Sequence, residues 1–454
     1  MQRGALVRKA RGGVAMLVTL IFLAMFVCMA LAVLTAADVN LVIARNRIEC
    51  EQAAALAETG LLMLQQQLGG LVLPATHDAE DINQAIADRL LMSLADSSML
   101  CSGTIQSTAD GVIVPPLAVA VADGRSGTIA AVIQADGGAL DHPTIHIQST
   151  GRFGRAVRTV SYQMASRSSL DGLARYGIAS RSPVEMKGNA SIRGANDSQE
   201  GSILSATSTT LDAVTLTGHV EVSGDVVVSG AGTRIDTRGS VTIGGDEIRD
   251  APEPEWPQVN TALFETYATN VFDGDTSVSR TLTNCRIPAG MNPTFSADTA
   301  IQGVLYVESP NKVTFSGSAT IRGTVVMEDH APGQPANEVT FAGKVQAYDM
   351  STLPQDVDFD GLRDLAKTFL LAPGANAKFA GNFGLVDGWI VASGYQFTGS
   401  AGGTVRGAIL NLEDSSFKVD GNVHIIIDKS GNTSDPAGLV ASRSLVCVRG
   451  SYSE

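Results

Sequence analysis

Asp356, Asp358 and Asp360 stand at alternate positions and run directly into Gly361, and Asp364 follows. Calcium needs several oxygens converging on one point, and alternate carboxylates around a glycine turn form the first half of such a loop. The closing bidentate acid belongs at the twelfth position, which here is Lys367. The competing reading is a row of solvated acids ahead of a helix Leu362–Leu371, where carboxylates suit the positive end of the helix dipole. The missing ligand favours this second reading, and calcium is the only cofactor the chain offers.

Other side chains with reactive chemistry are scattered. His142 and His146 are four apart, but Pro143 lies between them in a strand-like stretch, where that spacing gives no preset metal site. No H-E-x-x-H, G-x-S-x-G, phosphate-loop or G-x-G-x-x-G motif occurs. That disfavours the common hydrolase and nucleotide-binding designs, and no catalytic residue is assigned. A solenoid that cleaves glycans would escape such motifs, because its acids and bases come from different coils. Of the five cysteines, Cys28 falls inside an apolar run. Cys50, Cys101, Cys285 and Cys447 would meet an oxidising compartment if exported, and four cysteines allow three connectivities. A Cys50–Cys101 bridge between a stalk and a head is the pairing favoured. There is no C-x-x-C pair.

The elements that position these residues begin with an anchor. The net charge is -14, yet the first thirteen residues carry Arg3, Arg8, Lys9 and Arg11 and no acid. So acidic a chain is a poor partner for nucleic acid, whose phosphates attract clustered Lys and Arg. Val14–Ala37 holds no charged residue. As a helix it spans about 36 Å at ~1.5 Å per residue, enough for a hydrocarbon core of ~30 Å. The basic flank keeps the N-terminus in the cytoplasm, which makes the chain a single-pass protein of the inner, cytoplasmic membrane in contact with lipid. The run is longer than the apolar part of an ordinary cleaved signal. Beyond Asp38 the helical pattern continues to about Leu68, rich in alanine. Leu41, Ile48, Ala55 and Leu62 recur every seven residues and read as a packing stripe.

This N-terminal region resembles PilX-type minor pilins of type IV pili. They carry a basic leader, a glycine, an apolar helix and an Ala-Glu-x-Gly-Leu element, which here is Ala57-Glu58-Thr59-Gly60-Leu61. The resemblance covers about sixty residues. It implies cleavage by a prepilin peptidase between Gly13 and Val14, with Gly12 as the alternative leader glycine. Other minor pilins or the pilus assembly platform are the further partners it implies. Most major pilins have Glu at the fifth mature position, and here that residue is Val18. In an apolar filament core that Glu is tolerable because it is paired. Its absence fits a filament tip, as in the K-type minor pseudopilins, or a standing anchor.

The exported part has two characters. Asp81–Leu94 has helical spacing, and Pro115-Pro116 breaks the pattern. Four strand-like runs follow at Leu117–Ala122, Thr128–Gln134, Thr144–Ser149 and Ala156–Gln163. A stalk helix with a small antiparallel sheet over 38–168 is a pilin-like head. From 169 to 454 short β runs are punctuated by glycine. Gly218, Gly224 and Gly230 fall six apart, as do Gly317 and Gly323. Phe-x-Gly recurs at Phe315, Phe341, Phe379 and Phe397. Irregular repeats of this kind mark stacked β-coils with glycine corners and an internal phenylalanine ladder. Segments 249–270 and 353–370 interrupt the repeats and read as insertions that cap or clamp the solenoid.

The expected fold is therefore mainly β with a long N-terminal helix: a pilin-like stalk and small sheet, then a Gly-rich β-solenoid. The expected role is that of a membrane-anchored structural or interaction protein in pilus assembly or adhesion. The alternative is a tethered or secreted solenoid that binds or cleaves glycans. Acids and aromatics aligned on one solenoid face would mark that alternative.

Overall fold

The computed structural model describes residues 11–69, 71–73, 79–95, 100–101, 103–108, 110–121, 124–136, 144–330, 337–413, 415–430 and 435–454. The chain divides into two units, Met1–Ser166 with Leu445–Glu454, and Arg167–Ser444.

The first unit is built on one unbroken helix, Arg11–Leu68. Proline is absent from it, and alanine is frequent where it meets the sheet. Every side chain from Met16 to Ile48 is exposed. Beyond that, Ala53, Leu56, Ala57, Leu61, Leu64 and Leu68 are buried, a seam at i, i+3, i+4 and i+7 spacing. The seven-residue stripe expected to pack is not this seam. Leu41, Ile48 and Leu62 are 69%, 48% and 64% exposed. The helix lies so close to the sheet that small residues must face it. A Cβ added at Gly151 would strike the Ala53 carbonyl, and at Gly127 it would strike Leu56.

Four antiparallel strands, Gly111–Ala120, Ser126–Asp136, Thr144–Phe153 and Ala156–Ser168, pair in chain order. Pro115 and Pro116 do not end the first of these. The strand runs through them with a register shift between Val114 and Leu117, and a bulge is where a sheet tolerates a missing N–H. A second helix, Ala79–Ala95, buries Ile82, Ile86 and Leu90. A strand near the C-terminus, Arg443–Cys447, lies beside Ala156–Ser168 in this sheet.

The second unit is a three-faced β-solenoid of parallel ladders. One coil shows the plan. Ile178–Ser180 lies on the first face, and Val184–Gly194 covers the second and third, bending at Gly188. The next coil repeats it with Ile203–Ser205 and Asp212–Val222, in register Val214 to Val184 and Gly218 to Gly188. This first coil is also paired on its other side with the last, through Ile409–Asn411 and Phe417–Asp428. Residues 178–251 thus wind one way from inside the stack. The chain then crosses to the opposite end at Asn270–Val271 and returns coil by coil until it meets its own start.

Glycine makes the corners. Gly218 bends the strand Asp212–Val222, Gly224 precedes Val226–Ser229, and Gly230 follows it, so an interval of six is one face and its corner. Phe315, Phe341, Phe379 and Phe397 stack inside at centroid separations of 5.3, 5.1 and 5.0 Å, and Phe295 extends the column at 5.1 Å. Parallel ladders repeat every ~4.8 Å, so equivalent rings on successive coils must meet.

The first face is apolar on both sides. Val325 points into the main core, whereas Val326, Leu371, Val391 and Leu410 belong to a second apolar cluster outside it. Runs such as Phe369–Ala372 are accordingly unbroken rather than alternating. Both insertions cover that outer side, Phe264 from one and Leu353, Phe359 and Leu362 from the other. The helix expected over Leu362–Leu371 does not form. A short 3-10 turn, Leu362–Asp364, gives way at Lys367, whose φ is 72°, to the strand Thr368–Phe379. Helical spacing there loses to the burial of Phe369, Leu370 and Leu371 in the stack. Arg249–Ala251 also remains strand, so that insertion starts later than expected.

Candidate functional site

The helix from Met16 is long and apolar enough to cross a membrane. Gly12, Gly13 and Val14 lie in the backbone of the full helix Arg11–Leu68, ahead of that stretch. Val18 is 43% exposed and offers only a hydrocarbon surface.

The Ala57–Leu61 element is where this helix seats on the sheet. Ala57, Gly60 and Leu61 face inward and are buried. A Cβ at Gly60 would collide with Ile129 Cγ2 and Ser149 Oγ. Glu58 faces outward and accepts from the Tyr452 hydroxyl at 3.4 Å. The motif is therefore a packing device with one polar outer position.

The acidic turn does not assemble a cation site. Asp356, Asp358, Asp360 and Asp364 are all exposed. The Asp360 carboxylate is held by Arg363, whose guanidinium also donates to the Pro354 carbonyl at 2.7 Å. The turn is fixed from below, by buried Phe359 and Leu362 and by Asn284 donating to the Asp358 carbonyl at 2.7 Å. Among the described residues no three acidic, histidine or cysteine side chains converge as a metal would require. His142 lies outside the described residues.

Two polar groups that sequence spacing could not show are assembled across coils. In the first, Arg406 bridges Asp387 at 3.1 Å and Asp428 at 3.2 Å, each on a neighbouring rung. Burial pushes Asp387 up, against the pull of Arg406. Burial acts the same way on Asp428, but hydrogen bonds from Ser430, Asn196 and Arg406 outweigh it and hold the carboxyl at about 2. Burial pulls the adjacent Lys429 down to about 8, against the attraction of Glu200 and Asp197. In the second group, Ser191 Oγ is 2.8 Å from His424 Nδ1, and His424 Nε2 is 3.2 Å from Asn422 Oδ1. Those residue types could form a nucleophile, a base and an orienting group. However, Ser191 is 6% exposed on a flat face. The backbone N–H groups around it point into parallel ladders, so none is free to stabilise an oxyanion.

The row on the second face that runs through Thr294, Thr314, Thr340, Lys378, Gln396, Lys418, Glu185, Thr215 and Asp236 contains no aromatic side chain.

Cys50 is a half-buried free thiol on the helix. The Cys101 side chain lies outside the described residues, and the pairing of the two rests on the sequence alone. Cys285 is buried, which pushes its thiol up to about 11. Cys447 is exposed and accepts from the Gln65 amide at 2.8 Å.

No protein-family model and no curated protein sequence matches the chain. Among solved structures, the crystal structure of the competence-associated pilin ComZ from Thermus thermophilus matches at 13% identity and a TM-score of 0.27, over 89% of this chain and 97% of that one. At that identity and TM-score nothing about this chain's role follows from the likeness.

Proposed function

We propose that this chain is a minor-pilin-like or pseudopilin-like structural protein, anchored in the inner membrane and carrying its solenoid outward for pilus assembly or surface adhesion. The observation that carries this reading is the single helix Arg11–Leu68, exposed and apolar in its first part and seated on a small antiparallel sheet in its second. A membrane span that continues without a break into the core of a head is the physical form of a pilin stalk. The basic leader sets the orientation, with the N-terminus cytoplasmic and lipid around the apolar part. Prepilin peptidase cuts between Gly13 and Val14, and other minor pilins or the assembly platform then receive the mature chain. Val18 has no carboxylate to pair with the preceding subunit's N-terminal ammonium, which fits a filament tip or a standing anchor better than a repeating shaft. The role is one of binding and structure, not catalysis.

Intact mass and N-terminal sequencing of the protein extracted from native membranes test this. A chain starting at Val14 with a methylated amine supports it. A chain retaining Met1-Gln2 means a permanent anchor, and a start near Asp38 removes the pilin reading altogether.

A further inference from the structure

A groove of about 890 Å³ opens in the solenoid unit along one corner of three successive coils, at 206–211, 229–233 and 250–253. It exists because the corners differ. Six residues, 206–211, join the strands of the second coil, four residues, 230–233, join those of the third, and at the fourth the chain leaves through Pro252 without turning into another strand. The longer loop overhangs the shorter one, and no further coil closes the space. That volume lies in the range of small-ligand sites, ~300–1,000 Å³.

The lining is chemically one-sided. Ser229 gives its hydroxyl hydrogen to the Ala251 carbonyl at 2.9 Å, and Thr233 gives its own to the Gly230 carbonyl at 2.8 Å. Both side chains are buried, and the hydroxyls open to the groove are those of the exposed loop residues Ser208, Thr209 and Thr210. Asp250 is held at a φ of 54° and takes one hydrogen bond, from the Gly232 N–H at 3.3 Å. Among the described residues no ion pair engages Asp250 or Glu253, and no Lys, Arg, His or aromatic residue lines the groove. Leu211, 63% exposed, forms an apolar part of the wall.

We propose that this groove binds a neutral glycan. Two unpaired carboxylates among hydroxyls suit a ligand rich in O–H donors, since vicinal sugar hydroxyls can donate to one carboxylate together. The same carboxylates repel anionic polymers, nucleic acid and acidic polysaccharide included. The C–H face of a pyranose can rest on Leu211. Without an aromatic platform the single-site affinity is weak, with a Kd on the order of 1 mM. This inference rests on the reading of the solenoid as exported, because only there would it meet surface glycans.

The test uses the full chain in detergent with EDTA present and saturation-transfer NMR. The neutral probes are mannotetraose and the N-acetylglucosamine tetramer, and tetragalacturonate is the anionic one. The expected result is transfer to a neutral probe and none to the anionic one. Asp250→Asn combined with Glu253→Gln weakens binding at least tenfold, and Ser208→Trp, at an exposed loop position, abolishes it. Both variants keep the parent melting temperature. No binding of either neutral probe, tighter binding of tetragalacturonate, or unchanged binding in both variants would overturn the proposal. The outcome is independent of the N-terminal mass: a start at Val14 without glycan binding sinks this inference alone, and a start near Asp38 with glycan binding sinks only the pilin reading.

Discussion

Asn189 donates from Nδ2 to Oδ1 of Asn422 across 2.6 Å, although 233 residues separate them. They are neighbours because the first coil of the solenoid receives the last one on its open side. Next to them Gly188 and Gly421 stack in register, with φ angles of 90° and 118°. Side chains rarely adopt that backbone, and a Cβ at Gly188 would stand 2.7 Å from the Gly421 carbonyl oxygen.

Gly188→Ala therefore breaks the junction between the two ends of the solenoid chain. Strain of ~1–3 kcal/mol and a similar overpacking term set an expected loss of roughly 2–6 kcal/mol. Both tryptophans, Trp256 and Trp389, lie in this unit, so their emission during denaturant unfolding reports it alone. Gly232→Ala, at an open turn with a φ of 79° and nothing near a Cβ, is expected to cost about 1 kcal/mol.

Phe341 stacks on Phe315 from one side and Phe379 from the other. Phe341→Ala is expected to cost about 3–5 kcal/mol. Phe341→Leu should recover part of that by filling the volume without the ring contacts. Equal losses for both variants would mean that ring stacking rather than volume holds the column.

In the first unit, Gly60→Val drives a side chain into Ile129. Overpacking of ~1–3 kcal/mol is expected, seen as faster amide exchange in Ser126–Asp136 and Thr144–Phe153. Leu62→Ser, two residues on but exposed, should stay within ~0.5 kcal/mol.

Acid and base act on the row around Asp428 with opposite signs. Asp428 sits near 2, below its unfolded value, so its contribution is present above pH ~4 and is lost as the pH falls toward 2. Lys429 sits near 8, below its unfolded value, so burying its charge costs stability at neutral pH. That cost is relieved as the pH rises from 8 to ~10.5, where the unfolded chain binds more protons. Melting curves should show Lys429→Met more stable than the parent at pH 7, with the gap closing by pH 10. A gap that does not move with pH would show that Lys429 is not the titrating group.

Calcium is expected to leave the melting temperature unchanged at 1 mM, because Arg363 already holds Asp360. Arg363→Gln frees that carboxylate. If calcium stabilised the parent by several degrees, the acidic turn would have to be read again as a cation loop.

Local pattern was enough for several features. Charge-free length from Val14 to Ala37, glycine at intervals of six and phenylalanine ahead of glycine are each visible in a short window. Each has one physical consequence: a helix long enough to span a membrane, a corner, a stacked ring. The face of the stalk helix that packs was not legible, because leucines occur on both sides of it. The choice fell to the side with Ala53, Ala57 and Gly60, where the sheet can approach closely. The lost helix after Leu362 is the same kind of case, since a local preference yielded to Phe369 and Leu371 finding partners on other coils. Arg406 between Asp387 and Asp428, Ser191 beside His424 and the groove between three corners exist only through register. Parallel stacking brings residues tens or hundreds apart onto adjacent rungs, and no spacing along the chain encodes which of them will meet. The sequence by itself determined a long apolar helix, a small sheet and a solenoid, because hydrophobic length and period are local. Threading, register and the groove were decided only in the tertiary structure, because they depend on which coil stacks on which.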